Sequence, residues 1–129
     1  MPVGDLRQAF VDAGDIAAVA AAALPDPSHA RQTSETTGPD ALSFAEAVEI
    51  IGRAAGREIR FLGSPDDYLA AIGAAGLPRE QLLAEIEAFG ALRELGDQTP
   101  TDVVQRVTGQ QPRSFAAYAS DAANASAWN

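Results

Sequence analysis

The chain has 129 residues, no cysteine and 28 alanines, and its nine basic side chains, all arginine, face 18 acidic ones for a net charge of −9. That length suits one domain with a modest core, and the charge opposes binding to phosphate backbones or anionic lipid surfaces. Disulfides, thiolate metal sites and cysteine nucleophiles are excluded, and so is all lysine chemistry, including a Tyr-x-x-x-Lys dyad.

Residues 8–24 read as a short apolar strand running straight into a very apolar helix. Asp12 takes the N-cap position and Asp15 stands three residues on, where a capping-box acid belongs; both suit the positive end of the helix dipole. Beyond Asp15 there is no polar side chain until Pro25-Asp26 ends the run. A helix apolar all round is normally packed between other elements. Asp26-Pro-Ser-His29 is a turn, and the Thr-rich residues 31–37, closed by Gly38-Pro39, suggest a strand.

Ser43-Phe-Ala-Glu46 is a capping box, followed by Phe44, Val48, Ile51 and Ala55 at helical spacing and by Gly56 as the stop. Residues 58–62, with Ile59, Phe61 and Leu62, make a further short strand. Ser64-Pro-Asp-Asp67 starts a helix whose buried side is Tyr68, Leu69, Ile72 and Ala75, with Gly76 as its stop. Pro78 opens the next helix, with Leu82, Leu83, Ile86, Phe89 and Leu92 on one face and Gly96 as its end. Gly90 inside it costs roughly 1 kcal/mol relative to alanine, which suggests a close helix contact there. Thr99-Pro-Thr-Asp102 is another start, leading to Val103, Val104 and Val107. Ser114 caps a last helix carrying Phe115, Tyr118 and Ala119. The whole chain, 1–129, reads as a single domain with residues 124–129 as a frayed tail.

The chemistry-bearing residues are few. There is no Gly-x-Gly-x-x-Gly, phosphate-binding loop or Gly-x-Ser-x-Gly elbow. His29, the one histidine, lies in a turn without a carboxylate or nucleophile to complete a set, and no metal site is indicated. Asp66 and Asp67 are explained by the first turn of their helix. Asp12 and Asp15 lie where a strand meets a helix, a usual place for ligands in α/β proteins, but helix capping accounts for both. Tyr68 and Tyr118 read as core aromatics with a hydroxyl at the rim; Phe10, Phe61 and Phe89 read as core.

Phe-Val-Asp-Ala-Gly-Asp-Ile-Ala-Ala-Val (10–19), Thr-Gly-Pro-Asp-Ala-Leu-Ser-Phe-Ala-Glu-Ala (37–47), Gly-Arg-Glu-Ile-Arg-Phe (56–61), Gly-Leu-Pro (76–78) and Val-Thr-Gly-Gln-Gln-Pro-Arg-Ser-Phe-Ala-Ala-Tyr (107–118) occur in this order. Together they resemble the NmrA-like family, atypical short-chain dehydrogenase relatives that include NAD(P)H-dependent quinone oxidoreductases and nicotinamide-nucleotide redox sensors. The resemblance implies a mostly helical α/β fold of about six helices with two or three short strands, corresponding to the C-terminal part of a Rossmann-type protein without its nucleotide-binding half. It implies NADP or NAD as the family cofactor, none bound by this chain alone, and no cofactor-binding residue that can be carried over. Phe10, Val11, Asp12 and Asp15 are then expected nearest the substrate cleft, with Tyr68 as a further cleft candidate.

The leading expectation is a substrate-side portion of an oxidoreductase or redox sensor, without hydride transfer of its own. The alternative is a stand-alone small-molecule-binding or assembly module that dimerises through its apolar helix and strand edges. Expected partners are a second copy or a complementary nucleotide-binding chain, with a small apolar ligand and neither nucleic acid nor membrane. The expected location is cytoplasmic.

Overall fold

A computed structural model describes residues 1–73 and 76–128. Ala75, expected on a buried helix face, and Asn129 lie outside the described residues. The secondary structure is mostly helical: strand β1 (Arg7–Gln8), helix α1 (Ala13–Ala23), a 3₁₀ turn (Pro27–His29), β2 (Leu42–Ser43), α2 (Phe44–Ala55), α3 (Pro65–Gly73), α4 (Arg79–Glu94), α5 (Val103–Thr108) and α6 (Phe115–Asn124). Helices associate in pairs, α1 with α5, α2 with α6 and α3 with α4.

Each start signal on α1, α2 and α6 acts as the residue types dictate. Asp12 caps α1 by accepting from the Gly14 amide. Ser43 and Glu46 exchange both bonds of a capping box, at 2.7 and 3.1 Å, and Gly56 ends α2 in the left-handed region at φ 66°. Ser114 accepts from Ala117 N at α6. At α5 the expectation fails. Asp102 holds the cap position without a side-chain cap bond, its carboxylate accepting from Arg106 Nε instead, and the neighbouring threonine is used elsewhere: Thr101 N donates to Thr37 Oγ1 and Thr101 Oγ1 donates to Glu35 O.

Those bonds also explain why residues 31–37 are not a strand. The segment begins at Arg31 with φ 61° and is tethered by threonine hydroxyls, which compete with a ladder. Residues 58–62 likewise lack a ladder; Phe61 stacks on Phe44 instead, with ring centroids 6.1 Å apart. The sheet is formed by two residues from each strand, antiparallel, with Arg7 opposite Ser43 and Gln8 opposite Leu42. The free side of β1 is covered by Gln98, whose backbone N–H donates to Arg7 O while its side-chain oxygen accepts from Ala9 N. The side-chain amide thus stands in for a neighbouring strand.

Helix α1 buries one narrow face. Val19 meets Val103 and Val104, with Val107 against them, and burial of each such side chain stabilises the fold by roughly 1.5–3 kcal/mol. Its other faces lie open, with Ile16 48% and Leu24 86% exposed. Elements on both sides of this helix were expected from its composition; among the described residues α5 is the helix packed along it. Among the described residues Gly90 makes no close helix contact, since a Cβ there would meet nothing within 4 Å. No helix among the described residues is long and apolar enough to cross a membrane.

Candidate functional site

Two helix starts converge on one small cleft. The chain leaves β1 through Ala9 to Val11 and enters α1 at Asp12; from the far end, Gly109 turns the chain at φ 74° and residues 110–114 deliver it into α6. Gly38 sits against the Phe10 backbone and donates its N–H to Ala9 O. A Cβ at that position would come within 1.8 Å of Phe10 O, so only glycine permits this approach.

Arg113 joins the two starts. Its backbone N–H donates to Asp15 Oδ2 at 2.7 Å, its Nη1 donates to Asp12 Oδ2 at 2.8 Å, and its Nη2 pairs with Asp121 on α6. Asp12 therefore divides its oxygens, Oδ1 capping α1 through Gly14 N and Oδ2 holding the arginine. Asp15 departs from its expected capping-box role: it serves the Arg113 amide, a contact 98 residues away in sequence. The Asp12 side chain is only 15% exposed, so its charge requires the partner it has, whereas Asp121, 71% exposed, contributes less.

Beside this clasp lies a cavity of about 250 Å³, lined by Phe10 and Val11, by Asp12 and Ala13 at the start of α1, and by Arg113, Ser114, Phe115 and Tyr118. Its rings belong to a longer row. Phe61, Phe44, Phe10, Phe115, Tyr118 and Trp128 follow one another with centroids 5.2 to 6.3 Å apart. Trp128 turns back onto α6 and donates its indole N–H to Ala119 O at 3.0 Å, in the segment where fraying was expected.

Of the cleft candidates named from sequence, Phe10, Val11 and Asp12 line the cavity and Asp15 adjoins it through Arg113. Tyr68 lies elsewhere, on α3, where its ring meets Phe89 and its hydroxyl donates to Glu85 of α4. That carboxylate pushes the Tyr68 phenol above its ordinary value, by the hydrogen bond first and by charge last. Arg113, Phe115, Tyr118 and Asp121 are the site residues that sequence reasoning did not single out. One signal for Arg113 was present: a cation just before the Ser114 cap faces the positive end of a helix dipole, which requires compensating acids from elsewhere.

His29 ends the 3₁₀ turn, 4.0 Å from Asp26. The described residues contain no cluster of three or more His, Asp or Glu placed to hold a metal. The start of α1 is also already occupied by side chains of the chain itself. Asp12 and Asp15 stand there, the Gly14 amide donates to Asp12, and the Arg113 guanidinium is engaged by Asp12 and Asp121.

No known family model matches the chain. It is 39% identical over 126 residues to an uncharacterized oxidoreductase, YesF, of Bacillus subtilis, across 97% of this chain and 43% of that protein. It is 37% identical over 120 residues to an NAD(P)H azoreductase of Xenophilus azovorans, across 92% and 42% respectively. The chain thus spans less than half the length of the curated relatives it matches. Among solved structures, an NADPH-dependent quinone oxidoreductase of Escherichia coli superposes with a TM-score of 0.71 at 20% identity, over 92% of this chain and 44% of that one. A Citrobacter triphenylmethane reductase superposes with a TM-score of 0.72 at 17% identity, over 95% and 42%. The chain is therefore similar in sequence to oxidoreductases, and its mostly helical α/β fold is that of part of an NAD(P)-dependent reductase.

Proposed function

We propose that this chain is the substrate-side portion of an NAD(P)H-dependent oxidoreductase of the NmrA-like type, with the hydride donor held by residues outside the chain and no hydride transfer by the chain alone. The observation that carries the reading is the cleft itself: an aromatic cavity built against a helix start that carries two carboxylates. Phe10, Phe115 and Tyr118 offer a flat ring apolar contact from several sides, as an aromatic or quinonoid acceptor requires. The carboxylates oppose a nucleotide phosphate at the same place. Sequence similarity to an azoreductase and a fold shared with quinone and dye reductases support an acceptor of this kind.

Calorimetry with NADPH, NADH and the neutral naphthoquinone menadione tests the reading. Menadione is expected to bind and the nucleotides are not. Micromolar NADPH binding by the chain alone would sink the claim that the donor is held elsewhere.

A second reading, a module that assembles through α1, is favoured by one observation, the exposed apolar side that includes Ile16 and Leu24. Sedimentation over a wide concentration range separates the two. Reversible self-association lost in Leu24→Glu supports the module, and a concentration-independent monomer removes it.

A further inference from the structure

The charged groups around the aromatic cavity are unequal in number. Among the side chains that line it or bind Arg113, there are three carboxylates, Asp12, Asp15 and Asp121, against one guanidinium. The guanidinium is not free to receive an anion, because Nη1 donates to Asp12 and Nη2 to Asp121. Its carbon stands 6.0 Å from the Tyr118 ring centre, the outer limit for a cation over an aromatic face. The cavity interior is ring surface and aliphatic carbon from Phe10, Val11 and Phe115. An aromatic cavity with excess negative charge beside it favours a flat organic cation over a neutral or anionic ring of the same shape. Ring quadrupoles and carboxylates both attract positive charge, and delocalised charge costs little to desolvate.

We propose that the cleft between the starts of α1 and α6 selects planar aromatic cations, of the N-alkylated heteroaromatic class, as its ligands. This rests on the reading of the cavity as the acceptor-binding cleft and adds its charge preference. The cavity's volume of about 250 Å³ matches a two-ring ligand. Asp121 sets the preference from outside: it faces solvent, belongs to α6 rather than to the α1 cap, and holds one arm of Arg113.

The test uses three ligands of one shape and different charge: N-methylquinolinium, 1-methylnaphthalene and 1-naphthoate. Calorimetry gives affinities, and the indole N–H resonance of Trp128, the sole tryptophan, reports position because that ring packs on Tyr118. N-methylquinolinium is expected to bind about tenfold more tightly than 1-methylnaphthalene, with 1-naphthoate weakest and the indole resonance shifting in each complex. The preference should fall about threefold in Asp121→Asn and with added salt. It should stay unchanged in Glu87→Gln, an exposed acid on α4 away from the cleft.

Equal affinity for the cation and the neutral ring overturns the charge preference while leaving the acceptor-cleft reading standing. Tightest binding of 1-naphthoate overturns it too and makes Arg113 an anion receptor. Failure of all three ligands to bind overturns both. A cation preference that falls as much in Glu87→Gln as in Asp121→Asn, with no indole shift, shows attraction by the whole acidic surface and likewise overturns the proposal.

Discussion

The aromatic residues divide the molecule into two regions that are held together in different ways. Six rings run from Phe61 to Trp128 through residues drawn from both ends of the chain, and the Arg113 clasp ties residues about 100 positions apart. The other two, Tyr68 and Phe89, face each other across α3 and α4, which are neighbours in sequence. That hairpin buries Leu82 but leaves Leu77, Leu83 and Leu95 open, and α4 starts at Pro78 without a side-chain cap. The contrast is one of range: the cavity forms where contacts are long-range and geometrically exacting, and among the described residues the locally closed hairpin contributes none of its lining.

Breaking the long-range region should have the largest effect. Gly38→Ala drives a methyl group into the Phe10 carbonyl, so a loss of roughly 3 kcal/mol or more is expected in urea unfolding. Ligand binding should be lost with it, since Phe10 is a wall of the cleft. Arg113→Ala leaves Asp12 without its partner and should cost roughly 1.5–3 kcal/mol. Arg113→Lys recovers only part of this, because one ammonium cannot reproduce the two-armed contact. Tyr68→Phe, the matching change in the hairpin, removes only the bond to Glu85 and should shift the melting temperature less than Arg113→Ala does. Equal shifts would erase the distinction between the regions.

The hairpin can instead be improved. Gly90 lies inside α4 with open space at its Cβ position, so Gly90→Ala should raise stability by about 0.5–1 kcal/mol without altering ligand affinity. A fall in stability would reveal a contact in this hairpin like the one first expected at Gly90.

The smallest effect is one of pH. The Glu46 carboxyl is held below its ordinary value by the Ser43 backbone N–H and then by Arg7. A carboxyl with a lowered folded-state pKa stabilises the fold above its unfolded value, and that contribution is lost as pH falls through the folded value. Melting temperature followed downward from pH 6 should therefore drop less steeply in Glu46→Gln than in the parent below about pH 4.5, the ordinary carboxyl value. Identical slopes would show that the capping box carries no acid dependence.

What could be read from the residues depended on range. Ser43 with Glu46, Asp12 before α1, Ser114 before α6 and the glycine stops at 56, 76 and 96 act within a turn of their own backbone, so their effects were legible. Residues 31–37 and 58–62 looked like strands by composition, but a strand needs a partner. The partners went instead to Arg7–Gln8 and Leu42–Ser43, two-residue pieces too short to carry a pattern. Phe10, Val11 and Asp12, expected near a cleft from the resemblance, line the cavity together with Phe115, named only as part of the last helix, and Tyr118, read as a core aromatic with its hydroxyl at the rim.

The sequence by itself determined where the helices lie and how α1, α2 and α6 are capped, because those follow from hydrogen bonds and dihedral preferences within a few residues. It also determined that α1 is too apolar for the one narrow face this chain covers. Only the tertiary structure decided what the caps do besides capping. Asp15 turns from its own helix to the Arg113 amide, and Asp12 gives its second oxygen to the guanidinium. A carboxylate's partner is set by which charge is brought within about 3 Å, and that proximity is a property of the packed chain.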